Sequence, residues 1–280
     1  MRLTILGTGS ARPVGDSGQS GVLVQSGDTS VQFDIGSGIA SQIESRVGAT
    51  NLSGLFVGHF HADHWIDIGP MRYRFPWAED APRKLPVFLP SGGRERLQQL
   101  AAAINERPTF FEPAFDITEY ESGTAYTVGE LTVTPHAVGH YVPASSMDIR
   151  GPRGERIVYA GDMGPSQTVI DLAQGADVLI LEATLENGAT DDARRGHLDT
   201  PEAIDHVRRS GAKQGILVHY WSERRQIIRD LCAASGVPVV PGVTGMVVEI
   251  EDGRVRVEAP DVPPWFPPHA APPQATGSTD

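Results

Sequence analysis

Residues 59–64 read His59-Phe60-His61-Ala62-Asp63-His64, so four side chains able to bind a metal fall within six positions. His59 and His61 are two apart, and on an extended segment their imidazoles face the same way. Asp63 and His64 are adjacent and need a turn to face together, because neighbours on a strand point to opposite sides. One short loop can thus present two ligand pairs to two metal ions. Ions held about 3.5–4 Å apart activate water and clamp both oxygens of a displacement. A lone histidine is more often structural. Four ligand-type residues in this order, after the apolar run Leu55-Phe56-Val57, fit a metal motif better than packing.

A catalytic dinuclear site needs more donors than one hexapeptide supplies, and later strands must bring them. His140 comes after the strand-like 131–134, Asp162 after 157–161 and His219 after 215–218. Apolar runs ending in ligand-type residues predict strands that deliver side chains to one rim. The pattern predicts strands at 2–6, 21–25, 30–35, 54–58, 86–89, 124–134, 156–160, 178–182, 215–218, 238–240 and 246–257. Helices are expected at 92–105, 201–210 and 223–235. His136 competes with His140 for the same role. His206, on an amphipathic helix, and His269, in the C-terminal tail, are read as non-functional. Asp34 is expected to order the site or cap a turn rather than bind metal. Gly7-Thr8-Gly9-Ser10 lacks the Lys and third Gly of a nucleotide cradle.

With these residues the chain resembles the metallo-β-lactamase superfamily from about Met1 to Glu249. The resemblance takes in residues 3–10, Phe33-Asp34-Ile35-Gly36, the hexapeptide, Tyr159-Ala160-Gly161-Asp162 and Leu217-Val218-His219. It implies an α/β fold of the four-layer αβ/βα sandwich type. It also implies one metal held by His59, His61 and His140, a second by Asp63, His64 and His219, and Asp162 bridging them. Asp63 is expected to serve catalysis as well as ligation. Imidazole and carboxylate donors without thiolate suit two zinc ions, with manganese or iron as substitutes. The chain is most similar to the ribonuclease Z-like branch. Asp63 is directly followed by His64, His140 lies 76 residues beyond His64, and Val142-Pro143-Ala144 comes next. That spacing and sequel favour His140 over His136. Leu181-Glu182-Ala183-Thr184 resembles the branch's His-Glu-Ala-Thr stretch with Leu181 in place of its His, and Gly196-His197 resembles the following Gly-His motif. The resemblance makes His197 a general acid oriented by Glu182. The duller reading of His197 is a residue leading into the helix after it.

Length and composition narrow the rest. No linker divides a body that contributes ligands from residue 59 to residue 219, so residues 1–260 are expected to form one hydrolase domain. Residues 261–280 are a Pro-rich tail expected to stay extended or disordered. There is no signal-peptide pattern and no apolar run of membrane-spanning length. Cys232 is the sole cysteine, so a reducing cytoplasm is the expected location. A net charge of −12 with two lysines, Lys84 and Lys213, speaks against nucleic acid as the partner. Arg72, Arg74, Arg83, Lys84, Arg94 and Arg96 cluster downstream of the hexapeptide and are read either as a cleft wall meeting an anionic small-molecule substrate or as a solvated face. The segment 70–90, with Met71, Tyr73, Phe75, Trp77 and Phe88, is expected to be a lid or a dimer contact. Tyr141, Ser145, Ser146, Tyr220 and Trp221 neighbour ligands and are candidates to shape the pocket. The branch implies a homodimer.

Three hydrolytic functions follow. The first is cleavage of a small or cyclic phosphodiester, where a proton donor at His197 helps most because the leaving alcohol is poor. The second is acyl hydrolysis of a lactone, ester, thioester or amide, for which Leu181 leaves room. The third, tRNA 3′-end cleavage as in ribonuclease Z, is disfavoured. That enzyme's long arm falls between the third and fourth motifs, where only 21 residues separate His140 from Asp162.

Overall fold

The computed structural model describes residues 1–75, 84–186 and 195–261. The first half runs β1 (Arg2–Gly7), β2 (Gly21–Ser26), β3 (Thr29–Phe33), α1 (Ile39–Arg46), β4 (Gly54–Phe56), α2 (Ala62–Trp65), α3 (Ile68–Met71), β5 (Leu85–Leu89), α4 (Gly93–Asn105) and β6 (Phe115–Glu119). The second runs β7 (Tyr126–Val128), β8 (Leu131–Val138), β9 (Ala144–Arg150), β10 (Arg156–Tyr159), α5 (Gln167–Leu172), β11 (Val178–Glu182), α6 (Thr200–Ser210), β12 (Gln214–Val218), α7 (Arg225–Ala234) and β13 (Val239–Pro241). A final hairpin, β14 (Val247–Glu251) and β15 (Arg254–Glu258), returns to pair with β1.

Among the described residues these strands form two sheets, ordered β15-β14-β1-β2-β3-β4-β5-β6 and β13-β12-β11-β10-β9-β8-β7. β3 to β6 run parallel in the first, and β10 to β13 run parallel in the second. Parallel strands need crossovers, which put helices on the outer faces and bury both sides of each strand. The apolar runs then split by parity. Ile157, Tyr159, Val178, Ile180, Ile216 and Val218 meet Leu3, Ile5, Val22, Val24, Val31 and Phe33 between the sheets. Their neighbours Val158, Leu179, Leu181 and Leu217 face the layer of α5, α6 and α7. Leu6, Leu23, Leu55 and Val87 pack toward α1, α3 and α4. The result is the expected four-layer αβ/βα order.

Several element boundaries depart from the sequence reading. The predicted strand 124–134 is a hairpin, broken at Gly129 in the left-handed region (φ 56°). The predicted strand 246–257 is likewise two strands, joined at Asp252-Gly253, both with positive φ as a tight hairpin turn demands. β9 escapes detection because its Ser-Ser-Met-Asp core mixes polar groups into a buried strand. Ser146 satisfies its hydroxyl on the Ala160 carbonyl (2.7 Å), and Asp148 is held by Arg156 (2.8 Å). β6, α1 and α5 are also additional to the sequence reading.

The 70–90 segment is not a lid over its described length. Met71, Phe75 and Leu85 are buried in the core, and Phe88 stacks on Phe56 at 4.2 Å. Trp77 and Arg83 lie outside the described residues, as do His269 and the tail from 262. No helix among the described residues is long and apolar enough to cross a membrane.

Candidate metal centre

The ligand-bearing loops leave one rim of the sandwich, where the parallel strands of both sheets end, the usual place for a site in parallel α/β architecture. After β4 the chain passes through Gly58, whose N–H donates to Asp34 Oδ1 at 2.7 Å. His61 then caps α2 in an extended conformation (φ −72°, ψ 142°), and its carbonyl accepts from the His64 N–H. That single helical turn brings Asp63 and His64 round toward the rim. It docks through the Asp63 carbonyl to Ser20 N–H (3.1 Å) and the His64 carbonyl to Ile35 N–H (2.7 Å). The approach is so close that a Cβ at Gly36 would collide with the Asp63 carbonyl.

All seven residues expected as ligands converge. His59, His61, His140 and Asp162 form one cluster and Asp63, His64 and His219 another, with donor atoms within 4.8 Å of one another in each. Asp162 lies between them. Its carboxylate is 3.8 Å from His59 Nε2, 3.3 Å from His64 Nε2 and 3.4 Å from His219 Nε2. A third grouping joins Asp162 and His219 to His197. His136, on β8 opposite Ser146 of β9, belongs to none of these groups.

Hydrogen bonds on the far side of three of the rings set their orientation. His140 Nδ1–H donates to the Gly196 carbonyl (2.7 Å) and His64 Nδ1–H to Asp34 Oδ2 (2.7 Å). The Thr184 hydroxyl donates to Glu182 Oε2 (2.5 Å) and therefore accepts from His219 Nδ1–H (2.7 Å). In the neutral ring each of these Nε2 atoms turns a lone pair inward, as metal-binding imidazoles require, and a cation would take the place of the proton that Asp162 and Asp34 otherwise favour on His64. His140 Nε2 lies 3.1 Å from His61 Nδ1, and His64 Nε2 lies 3.3 Å from His219 Nε2. The buried Nε2 of His59 has no hydrogen-bond partner. Inward-facing ring nitrogens, an orphaned buried nitrogen and a central carboxylate fit divalent cations held by imidazole and carboxylate donors.

The electrostatics are those of a buried, strongly coupled cluster. Burial, reinforced by His64, holds the His59 pKa well below the ordinary histidine value. Burial also lowers His61, reinforced by the His140 ring, and lowers His140, reinforced by His197 and His64. Burial opposes charge on His64 too, but Asp162 and Asp34 outweigh it and raise that imidazole well above its usual value. Asp162 behaves conversely. Burial favours its neutral form, yet His219 and His64 hold it well below the normal carboxylate range.

Asp34 orders the site, as its type suggested. Besides Gly58 and His64 it accepts from the Tyr159 hydroxyl at 2.7 Å, and it is fully buried. Glu182 receives His197 Nδ1–H at 2.8 Å and Met163 N–H at 2.8 Å. Burial raises the Glu182 pKa against the pull of His197. Leu181, where the related motif has His, is fully buried on the helix-facing side of β11, so that position does not reach the centre.

A cavity of about 510 Å³ opens over the cluster, lined by Ser10, Ala11, Arg12 and Trp221 beside His61, Asp63, Asp162, His197 and His219. Tyr141 packs on His140 and His197 at 5.0 and 5.5 Å. Tyr220 and Ser146 turn away to backbone carbonyls, and Ser145 binds the Gly58 carbonyl through its N–H. Of the two readings of the basic run, the cleft wall is not seen among the described residues. Arg72 is buried and donates to the Phe110 and Phe75 carbonyls, Arg74 pairs with Glu44 and Arg94 binds the Ile117 carbonyl. Sequence reasoning missed Arg12, Ser20, Tyr159 and Thr184. Thr184, two residues after Glu182, and Tyr159, three before Asp162, stood in segments the resemblance already covered.

The beta-lactamase superfamily domain matches residues 29–220, a span that holds every candidate ligand. Probable metallo-hydrolase YhfI of Bacillus subtilis is 27% identical over 222 residues, covering 78% of this chain and 86% of that protein. Its crystal structure superposes with a TM-score of 0.78 at 25% identity, over 89% of this chain and 99% of that one. Ribonuclease Z of Haloarcula marismortui is 27% identical over 314 residues, covering 93% of this chain and 98% of that protein. By the match, the sandwich and the converging ligands, this chain belongs to the beta-lactamase superfamily and is a metallo-hydrolase of the metallo-β-lactamase fold.

Proposed function

We propose that the protein is a dinuclear metal-dependent hydrolase that cleaves a small or cyclic phosphodiester. His59, His61 and His140 would hold one cation, Asp63, His64 and His219 the other, and Asp162 would bridge them. A pair of divalent cations, zinc by preference, supplies Lewis acidity there and makes water acidic enough to attack near neutral pH. The observation that carries the phosphodiester reading is the His197–Glu182 pair at the cavity edge. Glu182 fixes His197 with its proton on Nδ1 and stabilises the charged ring. Nε2 is left to give a proton to the departing alkoxide oxygen. Such a donor contributes about 10²–10⁴-fold, most for poor leaving groups.

Acyl hydrolysis is the competing reading, and Leu181 was its main support. With that side chain packed against the helices, the support weakens. The tRNA reading weakens too. The residues between His140 and Asp162 are taken up by β9, β10 and their turns. The alignment with ribonuclease Z runs to 314 positions against 280 residues here, so that relative carries segments this chain lacks.

The test compares turnover by zinc- or manganese-loaded protein on two substrate sets. One set holds bis(p-nitrophenyl) phosphate and a 2′,3′-cyclic nucleotide, the other nitrophenyl esters, a thioester and lactones. A clear phosphodiester preference is expected. Faster acyl turnover would replace this reading with the competing one.

A further inference from the structure

Arg12 is the one Lys or Arg among the described residues lining the cavity over the metal cluster. It lies on the loop after β1, and its guanidinium sits 4.2 Å from the ring centroid of Trp221, two residues beyond His219. Glu223 forms an ion pair with one of its amino groups, and the side chain is about half exposed. A guanidinium has five N–H donors in a rigid fork. With its face on the indole and one edge on Glu223, Arg12 is held in place while its remaining donors stay at the cavity mouth. Long side chains lose rotamer entropy when a ligand fixes them. Here Trp221 and Glu223 impose that order before any ligand arrives. The wall beside the fork is apolar, made of Ala11, Ala62 and Trp221.

We infer that Arg12, braced by Trp221, is a specificity-determining residue that grips an anionic group carried by the substrate away from the bond that is cut. The substrate class is then a phosphodiester with a second negative charge, a carboxylate or phosphate, on one of its alcohol moieties. This rests on the proposed phosphodiesterase reading for the bond, but not for the charge preference. A fork fixed on an aromatic face favours bidentate contact with such a group. Arg12 thereby replaces the downstream basic run as the cationic feature of the cleft.

The experiment measures kcat/KM on matched pairs that share a p-nitrophenolate leaving group and differ by one remote charge. Methyl and 2-carboxyethyl p-nitrophenyl phosphate form one pair. p-Nitrophenyl butyrate and p-nitrophenyl hemisuccinate form a second. Wild type is expected to prefer the charged member in whichever pair it hydrolyses, and Arg12→Gln to reduce that preference about 10- to 100-fold, chiefly through KM. Arg12→Lys, which keeps charge and loses the fork, is expected to fall between them, and it replaces Arg12→Gln if that protein does not fold. Indole fluorescence gives a readout without turnover: a non-hydrolysed dicarboxylate is expected to perturb wild type and not Trp221→Phe. Absence of a charge preference in wild type, or an unaltered preference in both Arg12 variants, would overturn the assignment. Turnover confined to the acyl pair would instead overturn the phosphodiester reading while still testing Arg12.

Discussion

At the residue scale, the side chains behind the ligands carry as much of the design as the ligands. Asp34 accepts from Gly58, His64 and Tyr159, and so sets the inward lone pair of His64. Asp34→Asn keeps the size but loses acceptors. It is expected to weaken divalent-cation affinity about 10- to 100-fold, read by metal content after dialysis against a graded chelator. Full metal retention would remove Asp34 from the ordering role. His197→Ala is expected to retain metal and to slow alkyl phosphodiesters far more than bis(p-nitrophenyl) phosphate, whose leaving group needs no proton. Equal losses on both would exclude proton donation. The cluster of candidate ligands was legible because their types are rare and their spacing tight. Arg12 was not, because its meaning depends on Trp221, brought beside it only by the fold. The basic run stayed open between a cleft wall and a solvated face because sequence cannot show that Arg72 spends its donors on buried carbonyls.

At the element scale, strands ending in ligands were easy to place, since an apolar run followed by histidine or aspartate is a sharp boundary. β9 was hidden by buried polar residues with partners on neighbouring strands. The hairpins at Gly129 and Asp252-Gly253 were hidden inside runs that look continuous. α6 was clear from Thr200-Pro201-Glu202, and the structure adds a capping box between Asp199 and Glu202 that anchors the loop carrying His197. His206 ties that helix to the loop after Asp162. Its Nδ1–H donates to the Glu202 carbonyl and its Nε2 accepts from Ser166 N–H at 3.0 Å. The histidine read as non-functional thus has a structural task. Burial lowers its pKa below the ordinary 6.5, so below that pH the unfolded chain binds a proton that the folded chain resists. Stability from this residue is complete above about pH 6.5 and is lost as pH falls toward the folded value. His206→Gln is expected to lose less stability than wild type between pH 7.5 and 5.5 in urea unfolding. Parallel losses would show that His206 does not titrate on unfolding.

At the scale of the whole molecule, the candidate centre is shared between the halves. His59, His61, Asp63 and His64 follow β4 of the first sheet, whereas His140, Asp162 and His219 belong to loops of the second. Bound cations would therefore fasten the two sheets together. Stripping metal is expected to lower the melting temperature, since a ligand bound only by the native state stabilises it by RT ln(1 + [L]/Kd). A midpoint unmoved by chelator would mean that no cation is held there. The linkage also runs in reverse. Ile180 is buried between the sheets and is not itself a candidate ligand, and Ile180→Ala opens a gap where their faces meet. Loosening that contact shifts the ligand halves against one another, so the truncated protein should hold its cations less tightly. Metal content becomes a gauge of core packing: a scarcity of metal would be felt as a loss of fold, and a defect in the core as a hunger for metal.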